Sequence, residues 1–319
     1  DAGIYVWDTS GGISTASNLA SAISNAPTKS KFTLVSNPDR HLICFGTETT
    51  IGTTSTQDPM FIRWSDQDDY TSWTATATNS AGSQRVTGGS KIVTAVSTRG
   101  QILFLTDTSA HGMSFIGAPF TFGFQKLGTN CGAVSPHCAV DISGMVYWMS
   151  SDGFYMFDGT VRKMPCTVED FVFDNIDTTQ LEQVYAASNS GFGEVIWLYC
   201  STASNQIDRY VIFNYQENLW YTGSLDRSTW IDSGTYSLPY ATKYDGSANT
   251  TVYVHESGKN DDGSTMTSFI ESGDFDIGDG EDMMFIKKLI PDFKGQVGNV
   301  NVTLKSRYFP TETQTTKGP

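Results

Sequence analysis

The residues of this chain best suited to chemistry are carboxylates. The stretch DFDIGDGED at 274–282 places acids at Asp274, Asp276, Asp279, Glu281 and Asp282. Alternating acids around a glycine turn can wrap a hard cation such as calcium in oxygen ligands. Asp274, Asp276 and Asp279 are therefore the candidate metal ligands. The spacing departs from the helix–loop–helix calcium motif, because Gly278 stands where a third ligand belongs and no helical sequence flanks the loop. The same residues also read as a tight Gly-Asp-Gly turn with solvated carboxylates. A second acidic run, SDQDD at 65–69, carries the same two readings, a turn facing water or a cation site.

Little else is arranged for catalysis. The four histidines, His41, His111, His137 and His255, stand in no zinc-ligand spacing. Neither a nucleophile elbow nor a phosphate-binding or dinucleotide-binding glycine motif occurs. Glycan-cleaving enzymes of the sialidase kind need clustered arginines and a tyrosine with an acidic partner. Here the 20 Lys and Arg residues are scattered, and SSDGFYMF at 150–157 matches only part of an Asp-box repeat. Trp73 and Trp220 are candidates either for stacking on sugars from loop tips or for packing in the core. Five cysteines, an odd number with no CxxC, predict buried thiols instead of a disulfide framework or a zinc site. No catalytic residue and no cofactor is assigned, and the chain reads as non-enzymatic.

The elements that would hold these residues are strands. Aromatics make up 13% of the chain and charged residues only 17%, with Thr, Ser and Gly abundant, which is strand-and-turn chemistry. A net charge of -14 excludes nucleic-acid binding by phosphate neutralisation, while an acidic wall suits DNA that passes without being held. No apolar run approaches the roughly 20 residues that span a bilayer. The chain opens at Asp1 within strand-like IYVWD and closes on polar TETQTTKGP, so the expectation is a segment of a longer polypeptide with both ends missing.

One strand pattern recurs. Its six copies are IYVWDT from Ile4, LICFGT from Leu42, ILFLTD from Ile102, VYWMSS from Val146, VIWLYC from Val195 and VYVHES from Val252, spaced 38, 60, 44, 49 and 57 residues apart. A four-stranded propeller blade takes about 40–45 residues plus insertions. Five copies follow another strand and a turn, as in KFTLVSNPDRHLICFG and VYAASNSGFGEVIWLY. Several precede a second hairpin: FYMFDGTVRKM, YVIFNYQENLWYTG, FIRWSDQDDYTSWT and MSFIGAPFTFGFQKL. Hairpin plus hairpin makes an antiparallel blade, and six blades close a ring without long free edges. A β-sandwich is the alternative for the same strands and turns.

The fold expected is all-β: a six-bladed β-propeller over 1–263, then the start of a second β-rich, sandwich-like domain over 264–319. ASNLASAISNAP (16–27) reads as a helical or loop insertion, and the last blade is expected to borrow residues 4–8 as a strand. Three longer strands are expected after residue 264, with Phe285, Ile286, Leu289, Ile290 and Phe293 filling a core. The loops 66–90 and 118–130 are natural docking surfaces.

Four long phrases then carry a resemblance: DPMFIRWSDQDDYTSWTATATNSAGSQRV, SAHGMSFIGAPFTFGFQKLG, GMVYWMSSDGFYMFDGTVRKMPCTVEDFVFDNI and SGDFDIGDGEDMMFIKKLIPDFKG. Together they resemble the packaged-DNA stabilisation, or tail hub and nozzle, proteins of short-tailed bacteriophages, over roughly residues 30–310. The resemblance implies a virion protein assembled in the host cytoplasm. It implies a hexameric ring below the portal and adaptor that retains the genome, conducts DNA during ejection without binding it specifically, and offers sites for tail fibres or spikes. It also implies a propeller, and it brings no catalytic residues. The alternative function is a carbohydrate-binding or glycan-degrading propeller acting as a receptor-binding tail component.

Overall fold

The computed structural model describes residues 2–10, 12–13, 19–37, 39–244, 246, 250–261, 263–265, 268–276, 278–280, 282–296, 298–309 and 311–318. The chain divides into two compact units, Asp1–Ser257 and Gly258–Pro319. The first opens with β1 (Tyr5–Val6) paired to β2 (Ser21–Ala22). Four sheets of four antiparallel strands follow in chain order. They are β3 (Phe32–Ser36), β4 (His41–Phe45), β5 (Phe61–Trp64) and β6 (Gly82–Arg85); then β7 (Ile92–Ser97), β8 (Ile102–Thr106), β9 (Ser109–Gly117) and β10 (Thr121–Thr129). The third holds β11 (Ala139–Ile142), β12 (Met145–Ser150), β13 (Gly153–Phe157) and β14 (Val161–Lys163). After a short helix, α1 (Glu169–Asn175), come β15 (Tyr185–Asn189), β16 (Glu194–Tyr199), β17 (Arg209–Asn214) and β18 (Leu219–Ser224). A fifth sheet has three strands, β19 (Thr229–Ile231), β20 (Tyr240–Tyr244) and β21 (Thr250–Val254).

Each sheet is a simple meander, and its first strand lies beside the first strand of the next: β3 by β7, β7 by β11, β11 by β15 and β15 by β19. The recurring apolar segments supply the second strand of sheets one to four, where a strand has neighbours on both sides and both faces covered. That is why ILFLT, VYWMS and EVIWLY run apolar with little alternation. Alternate side chains serve different neighbours. Leu103 and Leu105 join the core shared with the third sheet, while Ile102 and Phe104 face the first. Likewise Val195, Trp197 and Tyr199 pack toward the third sheet, and Ile196 and Leu198 toward the fifth.

The all-β class with four-stranded antiparallel sheets is what the structure holds, and several details differ from expectation. The first strand copy does not join the last sheet: Tyr5 pairs with Ala22 and Val6 with Ser21, so residues 4–8 are used locally. Ile4 and Ile23 then cover the first sheet through Ala26, Cys44 and Trp73. Within 16–27, expected as a helical or loop insertion, residues 16–18 lie outside the described residues and the rest is loop with one short strand at Ser21–Ala22. The strand after β5 is Gly82–Arg85 and not the segment around Trp73, because the buried Trp73 ring holds that segment off the sheet. Gly82 begins the strand under the Trp64 indole, where a Cβ would stand 2.5 Å from the ring.

The second unit has two short strand pairs, β22 (Asn260–Asp261) with β23 (Ser264–Thr265) and β24 (Leu304–Ser306) with β25 (Thr315–Lys317). The three long strands and the core expected there are not formed. Phe285 is 83% exposed and Ile290 72%, and Ile286, Leu289 and Phe293 are also exposed, so among the described residues they do not gather into a core.

Candidate docking surface

Two of the segments singled out in the sequence come together around Ser80. The Trp64 indole N–H donates to the Ser80 carbonyl at 2.9 Å, and the Thr121 hydroxyl donates to the same oxygen at 2.9 Å. Asp66 Oδ1 accepts from the Ser80 amide at 2.8 Å, the Ser80 hydroxyl at 2.5 Å and the Gln67 amide at 2.9 Å. The loop after β5 is thereby fastened to the start of β10.

Above this knot β9 and β10, each nine residues long, run past their neighbours as a hairpin. Its tip carries Phe115, Ile116 and Phe120, exposed by 42%, 57% and 72%. Its root is locked: Phe122 is buried edge-on against Trp64 at 5.3 Å and His41 at 5.2 Å, with Phe115 5.8 Å away. His41 donates from Nδ1 to the Ser65 carbonyl at 2.8 Å, and its Nε2 is buried without a partner. The hairpin thus has a buried, hydrogen-bonded base and an apolar tip in solvent.

The acidic run 65–69 borders the knot as a self-satisfied turn. Asp69 accepts from the Thr71 amide and hydroxyl at 2.9 and 2.6 Å, and Asp68 pairs with Arg40 at 2.9 Å. Burial raises the Asp66 carboxyl, but the Ser80 hydroxyl and the Ser80 and Gln67 amides outweigh it and hold it below the usual carboxylate value. The Thr71 hydroxyl and amide lower Asp69 in the same way.

Of the metal candidates, Asp274 accepts from Arg307 and, at 3.2 Å, from Gln314 Nε2. The Asp279 side chain and Glu281 lie outside the described residues. Among the described residues no three His, Cys, Asp or Glu side chains gather as a metal-holding group. Trp73 is not at a loop tip; it is 1% exposed and donates to the Tyr70 carbonyl at 2.7 Å. Trp220 likewise lies in β18, stacked on Trp197 and tilted against Phe154 and Phe213, with its N–H on the Pro165 carbonyl at 2.9 Å. All five cysteines are free, and burial raises every one of their thiols, Cys166 and Cys200 to about 11.

Three polar clusters escaped the sequence reading, since their members are far apart in the chain or alternate with apolar residues. Ser109 Oγ and His111 Nε2 lie 2.8 Å apart, the start of a nucleophile–base pair. Both are buried, however, and the Ser109 hydroxyl donates to the Gly88 carbonyl, so the pair pins the Gly88–Gly89 loop. Burial, and then Lys126, push the His111 imidazole down. On the fourth sheet the Tyr221 hydroxyl donates to the buried Glu194, and Asn189 Nδ2 bridges Glu194 at 3.0 Å and Glu256 at 3.2 Å. Burial, then Glu194, drive the Tyr221 phenol strongly upward. On the fifth sheet the buried Arg227 donates from Nε to His255 Nε2 at 3.1 Å, bonds Asp226 at 2.8 Å and lies 3.9 Å over the Tyr253 ring.

No protein-family model matches this chain, and no curated protein matches it. Among solved structures it is similar to the AfRom2 CNH domain, with a TM-score of 0.38 and 10% identity over 81% of this chain and 89% of that one. It is also similar to a chain of a S. cerevisiae assembly of Dbp5 with Nup159, Gle1, IP6 and ADP, with a TM-score of 0.29 and 8% identity over 72% and 74% of the two chains. No helix among the described residues is long and apolar enough to cross a membrane.

Proposed function

We propose that this protein is a structural subunit of a short-tailed bacteriophage tail. In this reading its sheets are blades of a β-propeller, and copies of it assemble as a hexameric hub or nozzle below the portal and adaptor. The ring retains the packaged genome and lets DNA pass during ejection. The observation that carries the reading is the knot at Ser80. Two of the phrases that resemble the hub family, 58–86 and 109–128, meet there and build one exposed apolar hairpin on a rigid base. Such a hairpin serves assembly, docking an adaptor, fibre or spike, and has no use for a substrate. The chain's net charge of -14 suits a conduit that DNA does not stick to.

The glycan reading draws on one observation, the Tyr221–Glu194 pair, which is the tyrosine-with-acid that a sialidase-type site requires. Glu194 is itself buried and also held by Asn189 Nδ2 at 3.0 Å, so the pair is tied into the fourth sheet.

Electron cryomicroscopy of virions, with the chain labelled by a fused tag, tests the proposal. A six-fold ring of this chain on the tail axis is the expected result. Its absence from the tail, or a position on a receptor-binding appendage, overturns it.

A further inference from the structure

His41 is fully buried, yet only one of its two ring nitrogens is satisfied. Nδ1 lies 2.8 Å from the Ser65 carbonyl, which only accepts, so Nδ1 carries the hydrogen and the neutral ring is left with a bare lone pair on Nε2. Among the described residues nothing donates to that atom. Two rings cover the imidazole instead, Phe122 edge-on at 5.2 Å and Phe115 at 5.9 Å. Both belong to the hairpin of β9 and β10. β8 pairs with β9 only as far as Met113, and beyond it β9 and β10 pair with each other and with no third strand. Side chains at the root tie this stretch down: Phe122 on Trp64 and His41, and Thr121 on the Ser80 carbonyl.

We propose that His41 is an acid-sensitive catch on this hairpin: a proton on Nε2 loosens Phe115 and Phe122 and frees the tip. The added N–H would be a charged donor sealed under two rings with no acceptor, which is costly in the closed hairpin and harmless once the ring meets water. The proton therefore binds the opened hairpin better than the closed one, and opening gains as pH falls below about 6.5, where an exposed histidine takes up its proton. Of the charged groups on the elements round the ring, Asp66 acts on it and favours its charged form, but Asp66 Oδ1 is already filled by the Ser80 amide and hydroxyl and the Gln67 amide. Those bonds keep Asp66 below the usual carboxylate value, so it stays ionised while His41 titrates. Arg40 is paired with Asp68, and Asp39 accepts from the Ser36 hydroxyl. On the hairpin the ionisable partners His111 and Lys126 stand four residues back from Phe115 and Phe122 along their strands, beside Gly88. The catch works on the chain alone, whatever the tip docks against.

Hydrogen exchange of the full chain at about pH 7.5 and about pH 5, either side of the histidine range, tests this. The readout is exchange over 114–124 relative to exchange in β12 and β16, which removes the effect of pH on the exchange chemistry itself. One proton taken up near pH 6.5 can shift opening by up to about thirtyfold at pH 5. The expected result is a rise of about tenfold in that ratio for the wild-type chain, and none for His41→Asn, whose amide can still donate to the Ser65 carbonyl but takes no proton. His41→Gln, also without a titrating ring, carries the same readout if His41→Asn does not fold. A wild-type ratio that is equal at both pH values overturns the proposal without any variant. A rise that survives in either folded variant also overturns it, because the proton responsible would then sit elsewhere.

Discussion

Thr121 and Ser80 stand 41 residues apart, and the Thr121 hydroxyl donates to the Ser80 carbonyl at 2.9 Å. Thr121 adopts a φ of +60°, an uncommon conformation for a β-branched residue. The bond holds that conformation in place and sets the direction in which the hairpin leaves the sheet. Its tip and its root therefore respond to mutation differently.

Phe120→Ser is expected to leave stability within about 0.5 kcal/mol, since the side chain is largely in water. Under the function proposed above, binding to assembled tails should fall at the same time. Phe122→Ala removes the buried ring that meets Trp64 and His41, and should cost about 3–5 kcal/mol. Urea unfolding of both variants, with pull-down of assembled tails, checks the pair. Equal destabilisation by the two would show that the tip is also structural.

Trp73→Ala should release the N-terminal hairpin. The indole is the largest member of the cluster that joins Ile4, Ile23 and Ala26 to the first sheet, and its loss should cost about 3–5 kcal/mol. Hydrogen exchange at Ser21–Ala22 is expected to quicken far more than exchange in β12 or β16.

The carboxylates held by amides and hydroxyls make stability depend on acid. Asp66 and Asp107 both titrate below the ordinary 3.8, because bonds from Ser80 and from Ser90 outweigh their burial. A carboxyl with a lowered native pKa stabilises fully above its unfolded value and loses that contribution as pH falls through the native value. Asp66→Asn should therefore lower the midpoint of thermal unfolding at pH 7, and the gap from wild type should close below about pH 3.8. A gap that is constant with pH would contradict this.

No thiol should react readily. Burial raises all five cysteines, so the thiolate is scarce at neutral pH. Ellman's reagent is expected to modify none in the folded chain and all five in denaturant. Fast reaction of Cys166, the one cysteine that is not fully buried, would show that its segment opens.

Calcium should not stabilise the chain through the second unit. Arg307 and Gln314 already occupy the Asp274 carboxylate. Equal melting temperatures in millimolar calcium and in EDTA are expected; a rise with calcium would reinstate Asp274 and Asp276 as ligands.

The sequence by itself determined the strands and their local pairing. Short apolar runs and glycine-marked turns are short-range signals, so the hairpins β3–β4, β7–β8, β11–β12, β13–β14, β15–β16 and β17–β18 could be read directly. The loops expected at 66–90 and 118–130 instead contain strand β6 at Gly82–Arg85 and strand β10 at Thr121–Thr129. What only the tertiary structure decided were contacts between residues far apart in the chain. Trp73 went inward because it packs with Ala26 and Cys44 in one buried cluster, flanked by Ile4 and Ile23. The strand after β5 began at Gly82 because only a glycine fits beneath Trp64. Residues 4–8 paired with Ser21–Ala22, the nearer partner, instead of the last sheet. Ser80 became the centre of the knot between the loop after β5 and β10 through its carbonyl and amide as well as its hydroxyl. Every residue carries such backbone groups, so a string of side-chain types gives no sign of which one will matter.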